Sequence, residues 1–172
     1  RVLDIGYGTG SAIVELASRI GADGHITGID ISPGMQEVAG KKVDAKNLAA
    51  QVKLDVGSAL ELPYENDSFD VVYTSFTLEL FPAEDIPKVL AESRRVLRSG
   101  GKLAVVAMAT VREGEHDSML EKTYKWSHHH FPHIVDCRPI NAEKFINDAG
   151  FNIIHDERIE IWTMPVAVVV AQ

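Results

Sequence analysis

Apolar residues along this chain follow two rhythms, short unbroken runs and positions spaced by three and four. Val2–Ile5, Ile26–Ile29, Val52–Val56, Phe69–Thr74 and Lys102–Met108 are the dense runs. Such runs suit strands buried on both faces of a parallel sheet. Between them, Ile13, Leu16, Ala17 and Ile20 recur at helical spacing before Gly21, which stops a helix readily. Ser32-Pro33 reads as an N-cap and a first-turn proline, opening a helix to about residue 48. Ala83–Leu97 sets Ile86, Val89, Leu90, Val96 and Leu97 on one face; Pro87 is tolerable there only near the first turn, and Gly100-Gly101 is expected to end the helix. This alternation predicts a doubly wound α/β fold with right-handed crossovers. Residues 111–135 break the rhythm with a polar stretch rich in His and aromatics. Asn141–Ala149 then predicts a short helix closed by Gly150. Phe151–Trp162 and Pro165–Ala171 lie only a turn apart and are expected to pair antiparallel.

Chemistry enters at the first strand. Asp4-Ile5-Gly6-Tyr7-Gly8-Thr9-Gly10 runs from the strand into three glycines at alternate positions. Glycine accepts positive φ and leaves no Cβ between backbone and ligand, and the helix that follows offers amides and a positive dipole end to an anionic group. Asp30 closes the next apolar run, 20 residues after Gly10, the spacing at which such folds present a carboxylate to ribose hydroxyls. A nucleoside-containing cofactor is expected. The dinucleotide fingerprint needs Gly or Ala where Ser11 stands, which disfavours a nicotinamide-dependent oxidoreductase.

With its D-I-G-x-G-T-G block the chain resembles the class I, Rossmann-like S-adenosyl-L-methionine (SAM) dependent methyltransferases. The resemblance continues through Gly28-Ile29-Asp30-Ile31-Ser32, Gly57-Ser58-Ala59-Leu60-Glu61-Leu62-Pro63, Asn66–Tyr73 and Arg95–Leu103. It implies a seven-stranded, mostly parallel sheet in the order 3-2-1-4-5-7-6 with the last strand antiparallel. It implies SAM as cofactor, held by Asp4, Gly6, Tyr7, Gly8, Gly10, Asp30, Ile31, Ser58, Ala59, Leu60 and Thr74. It also implies a small-molecule methyl acceptor, quinone-like or lipid, since Leu60–Val72 and Leu90–Gly101 are similar to the ubiquinone and menaquinone biosynthesis C-methyltransferases. A non-catalytic SAM-binding module remains the alternative, favoured by Ser58 and Tyr7. Ser58 replaces the acid that would accept from the adenine amino group, a loss of roughly 1 kcal/mol. The Tyr7 ring either packs beside the cofactor or plugs the entrance. Asp4 either orders the glycine turn near the cofactor's amino group or is a strand-end carboxylate satisfied by loop amides.

The resemblance places Thr74–Glu79 where the acceptor meets the sulfonium, with Phe76 and Leu78 as wall. Glu79 is a base, a substrate-orienting group or, by the favoured reading, a solvated helix acid. The insertion 111–135 is expected to supply the substrate wall through Tyr124, Trp126 or one of His128–His130. Those histidines and His133 do not converge on one metal ion, because adjacent helical residues point about 100° apart and Pro132 interrupts the helix. Asp136-Cys137-Arg138 either shapes the pocket through a buried Asp136–Arg138 pair or, by the favoured reading, fixes a loop. No catalytic residue and no metal ligand is assigned.

Composition narrows the partners. A net charge of −8 over 172 residues argues against nucleic acid, whose phosphates require a basic face. One cysteine, Cys137, precludes an internal disulfide and fits a reducing cytoplasm. No apolar run approaches the roughly 20 residues of a membrane span. Residues 1–172 have the size of a single domain, and a start without Met, already inside a strand, leads to the expectation of a longer natural protein. The sequence leaves the oligomeric state open.

Overall fold

The computed structural model describes residues 1–110, 138–161 and 164–172. Five apolar runs form β1 (Val2–Ile5), β2 (Ile26–Asp30), β3 (Val52–Val56), β4 (Phe69–Ser75) and β5 (Leu97–Met108), followed by β6 (Ile153–Ile161) and β7 (Met164–Ala171). They make one sheet in the order β3-β2-β1-β4-β5-β7-β6. Strands β1 to β5 are mutually parallel, and β7 runs antiparallel to both β5 and β6. Both the expected order and the expected antiparallel strand are present.

Helices cover both faces, as parallel strands require. On one face α1 (Ser11–Ala17) and α2 (Pro33–Ala45) bury Ile13, Ala17, Ala39 and Val43 against Val2 and Ile26. On the other, α3 (Ile86–Val96) and α4 (Ala142–Asp148) bury Ile86, Leu90 and Ile146 against Leu3, Leu103 and Val169. Each such Val, Leu or Ile side chain contributes roughly 1.5–3 kcal/mol by leaving water. Local chemistry sets the helix starts: Ser32 accepts a hydrogen bond from the Met35 amide ahead of Pro33, and Asn141 does the same for Lys144.

Gly100-Gly101 does not end α3. Leu97 turns directly from helix to extended backbone, and both glycines lie inside β5. They stand where the β4–β5 register shifts between Phe69 and Val71. A Cβ on Gly101 would lie 3.1 Å from the Asp70 carbonyl, so the pair permits close approach of β4 and is no helix stop. The insertion 111–135, with Tyr124, Trp126, His128–His130 and His133, lies outside the described residues, as do Asp136 and Cys137.

Candidate functional site

At the carboxyl ends of β1 to β4 the sheet opens onto a cleft of about 620 Å³. Open α/β sheets place ligands at this edge, and the volume suits a small-molecule ligand. Of the eleven residues expected to hold a cofactor, Gly6, Tyr7, Gly8, Asp30, Ile31, Ser58 and Ala59 line the cleft. Asp4, Gly10, Leu60 and Thr74 do not line it.

The glycine turn is fixed from two sides. Gly6 donates to the Ile29 carbonyl at 2.7 Å and sits at φ 76°. A Cβ there would fall 2.3 Å from the Thr77 side chain, so only glycine lets β1 pass so close to the end of β4. Gly8 donates to Asp30 Oδ2 at 2.8 Å, and Ser32 donates to Asp30 Oδ1 at 2.9 Å. A Cβ on Gly8 would meet nothing within 4 Å. The backbone at Gly8 is thus bare toward open space, while the Asp30 carboxylate keeps lone pairs free for a further donor.

Behind the turn, Asp4 is buried in the centre of the sheet, in register with Gly28 on one side and Tyr73 on the other. Its Oδ2 has no hydrogen-bond partner. Desolvation, and secondarily the negative Asp30, push its carboxyl up to about 7. Of the two readings of Asp4, full satisfaction by loop amides therefore fails for one oxygen. Thr74, likewise buried, leaves Oγ1 unpartnered beneath the same edge. Gly10 caps the start of α1 and packs against Ala39 of α2.

Tyr7 does not plug the entrance. Its ring packs in the core against Gly28, as the Ile13 side chain does, and its hydroxyl donates to the Asp55 carbonyl at 3.3 Å. Burial, with Asp30 and Asp55 nearby, pushes that phenol up to about 12. Ser58 Oγ accepts from the Leu60 amide at 3.2 Å, shaping the loop after β3, and Leu60 packs on the core instead of the cleft.

The far wall comes from the segment after β4. Phe76 is 41% exposed, lines the cleft and carries φ 51°. For a residue with a Cβ that conformation costs roughly 1–2 kcal/mol. Leu80, 54% exposed, and Phe81 continue the wall. Leu78, expected beside Phe76, is instead buried in the core.

Glu79 overturns the reading as a solvated acid. It is 1% exposed, on the short 3-10 turn Leu78–Leu80. Its Oε1 accepts from the Met108 amide at 3.0 Å and its Oε2 is unpartnered. Desolvation raises its pKa, opposed in part by the Met108 hydrogen bond. It does not line the cleft. Met35, Leu80 and Phe81, which also line it, escaped the sequence reading because periodicity does not tell an isolated apolar residue facing a cleft from one facing the core.

A family model described as a methyltransferase domain matches residues 2–101. A demethylmenaquinone methyltransferase of Lactobacillus johnsonii is 38% identical over 104 residues, covering 60% of this chain and 42% of that protein. The chain thus spans less than half the length of the curated relatives it matches. Among solved structures, a SAM-dependent methyltransferase from Methanosarcina mazei superposes with TM-score 0.81 at 22% identity, covering 99% of this chain and 91% of that one. The 4+2 cyclase SpnF superposes with TM-score 0.77 at 21% identity, covering 100% and 74%. The shared fold therefore carries more than one chemistry.

Proposed function

Because the chain belongs to the methyltransferase domain family, we propose that it uses SAM to methylate a small, quinone-like or lipid acceptor. The observation that carries this reading is the bare backbone at Gly8 held by Asp30 at the mouth of the cleft. The residues fit the cofactor. Asp30 offers remaining lone pairs to ribose hydroxyls, Ile31 and Ala59 present apolar surface to a purine, and Ser58 offers one neutral polar group. Asp4, buried with an unpartnered oxygen, leaves a hydrogen-bonding group unsatisfied behind the turn, suited to a ligand carrying an ammonium.

When bound, SAM supplies an electrophilic methyl group on sulfur, which an acceptor nucleophile takes in a direct displacement. Such a reaction draws mainly on proximity and alignment. This chain's part is to hold the nucleoside end between Asp30 and Ser58 and to leave the Phe76 side for the acceptor. A general base is needed only where the acceptor must lose a proton early, and no described residue is given that task. Glu79 is sealed away from the cleft.

We read residues 1–172 as one domain, with the insertion 111–135 as the remaining acceptor wall. Its single cysteine supports a cytoplasmic setting, and its net charge of −8 supports a partner other than nucleic acid. Among the described residues no helix is long and apolar enough to cross a membrane. Calorimetric titration with S-adenosylhomocysteine and with NAD tests the cofactor. Methyl transfer from SAM to a panel of quinols and lipids, read by product mass, then tests the reaction. Binding of NAD but not S-adenosylhomocysteine would overturn the proposal, and binding without transfer to any acceptor would favour the non-catalytic module.

A further inference from the structure

We infer that Arg95, which does not touch the cleft, is a positioning residue for the cofactor: it fixes the loop that presents Ser58 and Ala59. The inference rests on the cofactor reading above and deepens it. Strands β3 and β4 run parallel. The chain between them must therefore cross from the cleft edge, where β3 ends at Val56, to the far edge, where β4 begins at Phe69. Such crossings usually carry a helix, whose backbone groups satisfy one another. Residues 57–68 form none, so their amides and carbonyls need partners from elsewhere.

Arg95 and Glu92, one turn apart on α3, supply them. Glu92 Oε2 accepts from the Leu62 amide at 2.8 Å. Arg95 Nη2 donates to the Leu62 carbonyl at 2.9 Å, and Nη1 donates to the Tyr64 carbonyl at 2.7 Å and to Asn66 Oδ1 at 3.0 Å. Its Nε and Nη2 donate to the two Glu92 oxygens, each at 2.8 Å. Every N–H of the guanidinium is thereby engaged. The hydrogen bond from Arg95 also holds the Glu92 carboxyl below its ordinary range, so the acceptor for Leu62 stays ionised at neutral pH.

Leu62 is thus held by its amide and by its carbonyl. Upstream, the Gly57 amide donates to the Asp30 carbonyl at 2.9 Å. The stretch from Gly57 to Leu62 is pinned at both ends, and Ser58 and Ala59, which line the cleft, lie inside it. Just beyond it, the Tyr64 hydroxyl donates to Asp55 Oδ2 at 3.0 Å, tying the far side of the loop back to β3. A loop ordered before the ligand arrives spares binding the entropy of ordering it. Lysine cannot replace Arg95 here, because a single ammonium lacks the planar fork that reaches several acceptors at once.

The test compares the full wild-type chain with Arg95→Lys, which keeps the charge beside Glu92. Hydrogen exchange read by mass spectrometry should be faster in residues 57–66 of the variant and unchanged elsewhere. Its affinity for S-adenosylhomocysteine, read by calorimetry, should fall roughly tenfold, since binding must now order the loop. Val89→Ala, which empties core space on the same helix, is the control for lost stability. It should lower the melting temperature while holding S-adenosylhomocysteine affinity within about twofold of wild type. Unchanged exchange or unchanged affinity in Arg95→Lys, faster exchange throughout that variant, or an equal loss of affinity in Val89→Ala would overturn the inference. A wild-type chain that fails to bind S-adenosylhomocysteine would overturn the cofactor reading itself, whereas normal wild-type binding with Arg95→Lys unaffected would overturn this inference alone.

Discussion

The carboxylate of Asp30, at the end of one strand, accepts a hydrogen bond at 2.8 Å from the amide of Gly8, beyond the end of its neighbour. One side chain therefore both shapes the glycine turn and stands ready for a ligand's hydroxyls. Asp30→Ala should weaken S-adenosylhomocysteine binding by roughly 1–3 kcal/mol, the scale of losing a charged acceptor. Asp30→Asn, which keeps one acceptor oxygen, should lose less. Calorimetry giving equal affinity for wild type and Asp30→Ala would remove Asp30 from the cofactor's contacts.

Ser58 lines the cleft and already accepts from the Leu60 amide, a contact an aspartate can also make. Ser58→Asp should therefore keep the loop and supply a charged acceptor. S-adenosylhomocysteine should bind tighter by about 1 kcal/mol, roughly fivefold. An analogue lacking the adenine amino group should gain nothing from the change; equal gains for both ligands would locate the effect elsewhere.

Asp4 gives a pH dependence of definite sign. Its carboxyl titrates near 7 in the fold and near its ordinary value of about 3.9 when unfolded, so between those values the folded state holds the extra proton. Stability from this group is complete below about pH 4, declines as pH rises to about 7 and is level above. The full span is about 4 kcal/mol. Denaturant unfolding of wild type and Asp4→Asn across pH 4–8 should show the difference between them shifting in favour of the variant as pH rises. A pH-independent difference would mean that Asp4 is charged throughout.

Glu79 and Met108 give a structural counterpart. Glu79→Ala leaves the Met108 amide without its 3.0 Å acceptor and opens a void, a loss of roughly 2–4 kcal/mol. Glu79→Gln keeps an acceptor and removes a buried acid, so it should be near neutral at pH 8. If both variants lose stability equally, the Met108 hydrogen bond is not the source.

Most of the fold was legible because parallel strands buried on both faces are unbroken apolar runs, and because Ser32-Pro33 and Asn141 name their helix starts. Gly100-Gly101 misled, since a glycine pair after a helix resembles a stop. Its use, admitting the Asp70 carbonyl, depends on a strand about thirty residues away. In the candidate site, the turn and Asp30 were legible from spacing. Tyr7 and Glu79 were not, because their environments come from the Asp55 carbonyl and the Met108 amide, partners distant in sequence. Phe76 was legible as wall, but its left-handed backbone was not, because nothing in an aromatic residue announces a positive φ.

The strand Met164–Ala171 fills the gap between Leu97–Met108 and Ile153–Ile161, whereas the described residues that line the cleft fall between Ile5 and Phe81. During synthesis the parts of the cleft therefore leave the ribosome long before the sheet can close. Until the late strand arrives, Leu97–Met108 presents an open edge of unpaired amides and carbonyls, the kind of template on which chains associate wrongly. Errors in Val166, Ala167 or Val169, all fully buried, should consequently show themselves first as poor yield of soluble protein, with ligand affinity in the surviving molecules little altered.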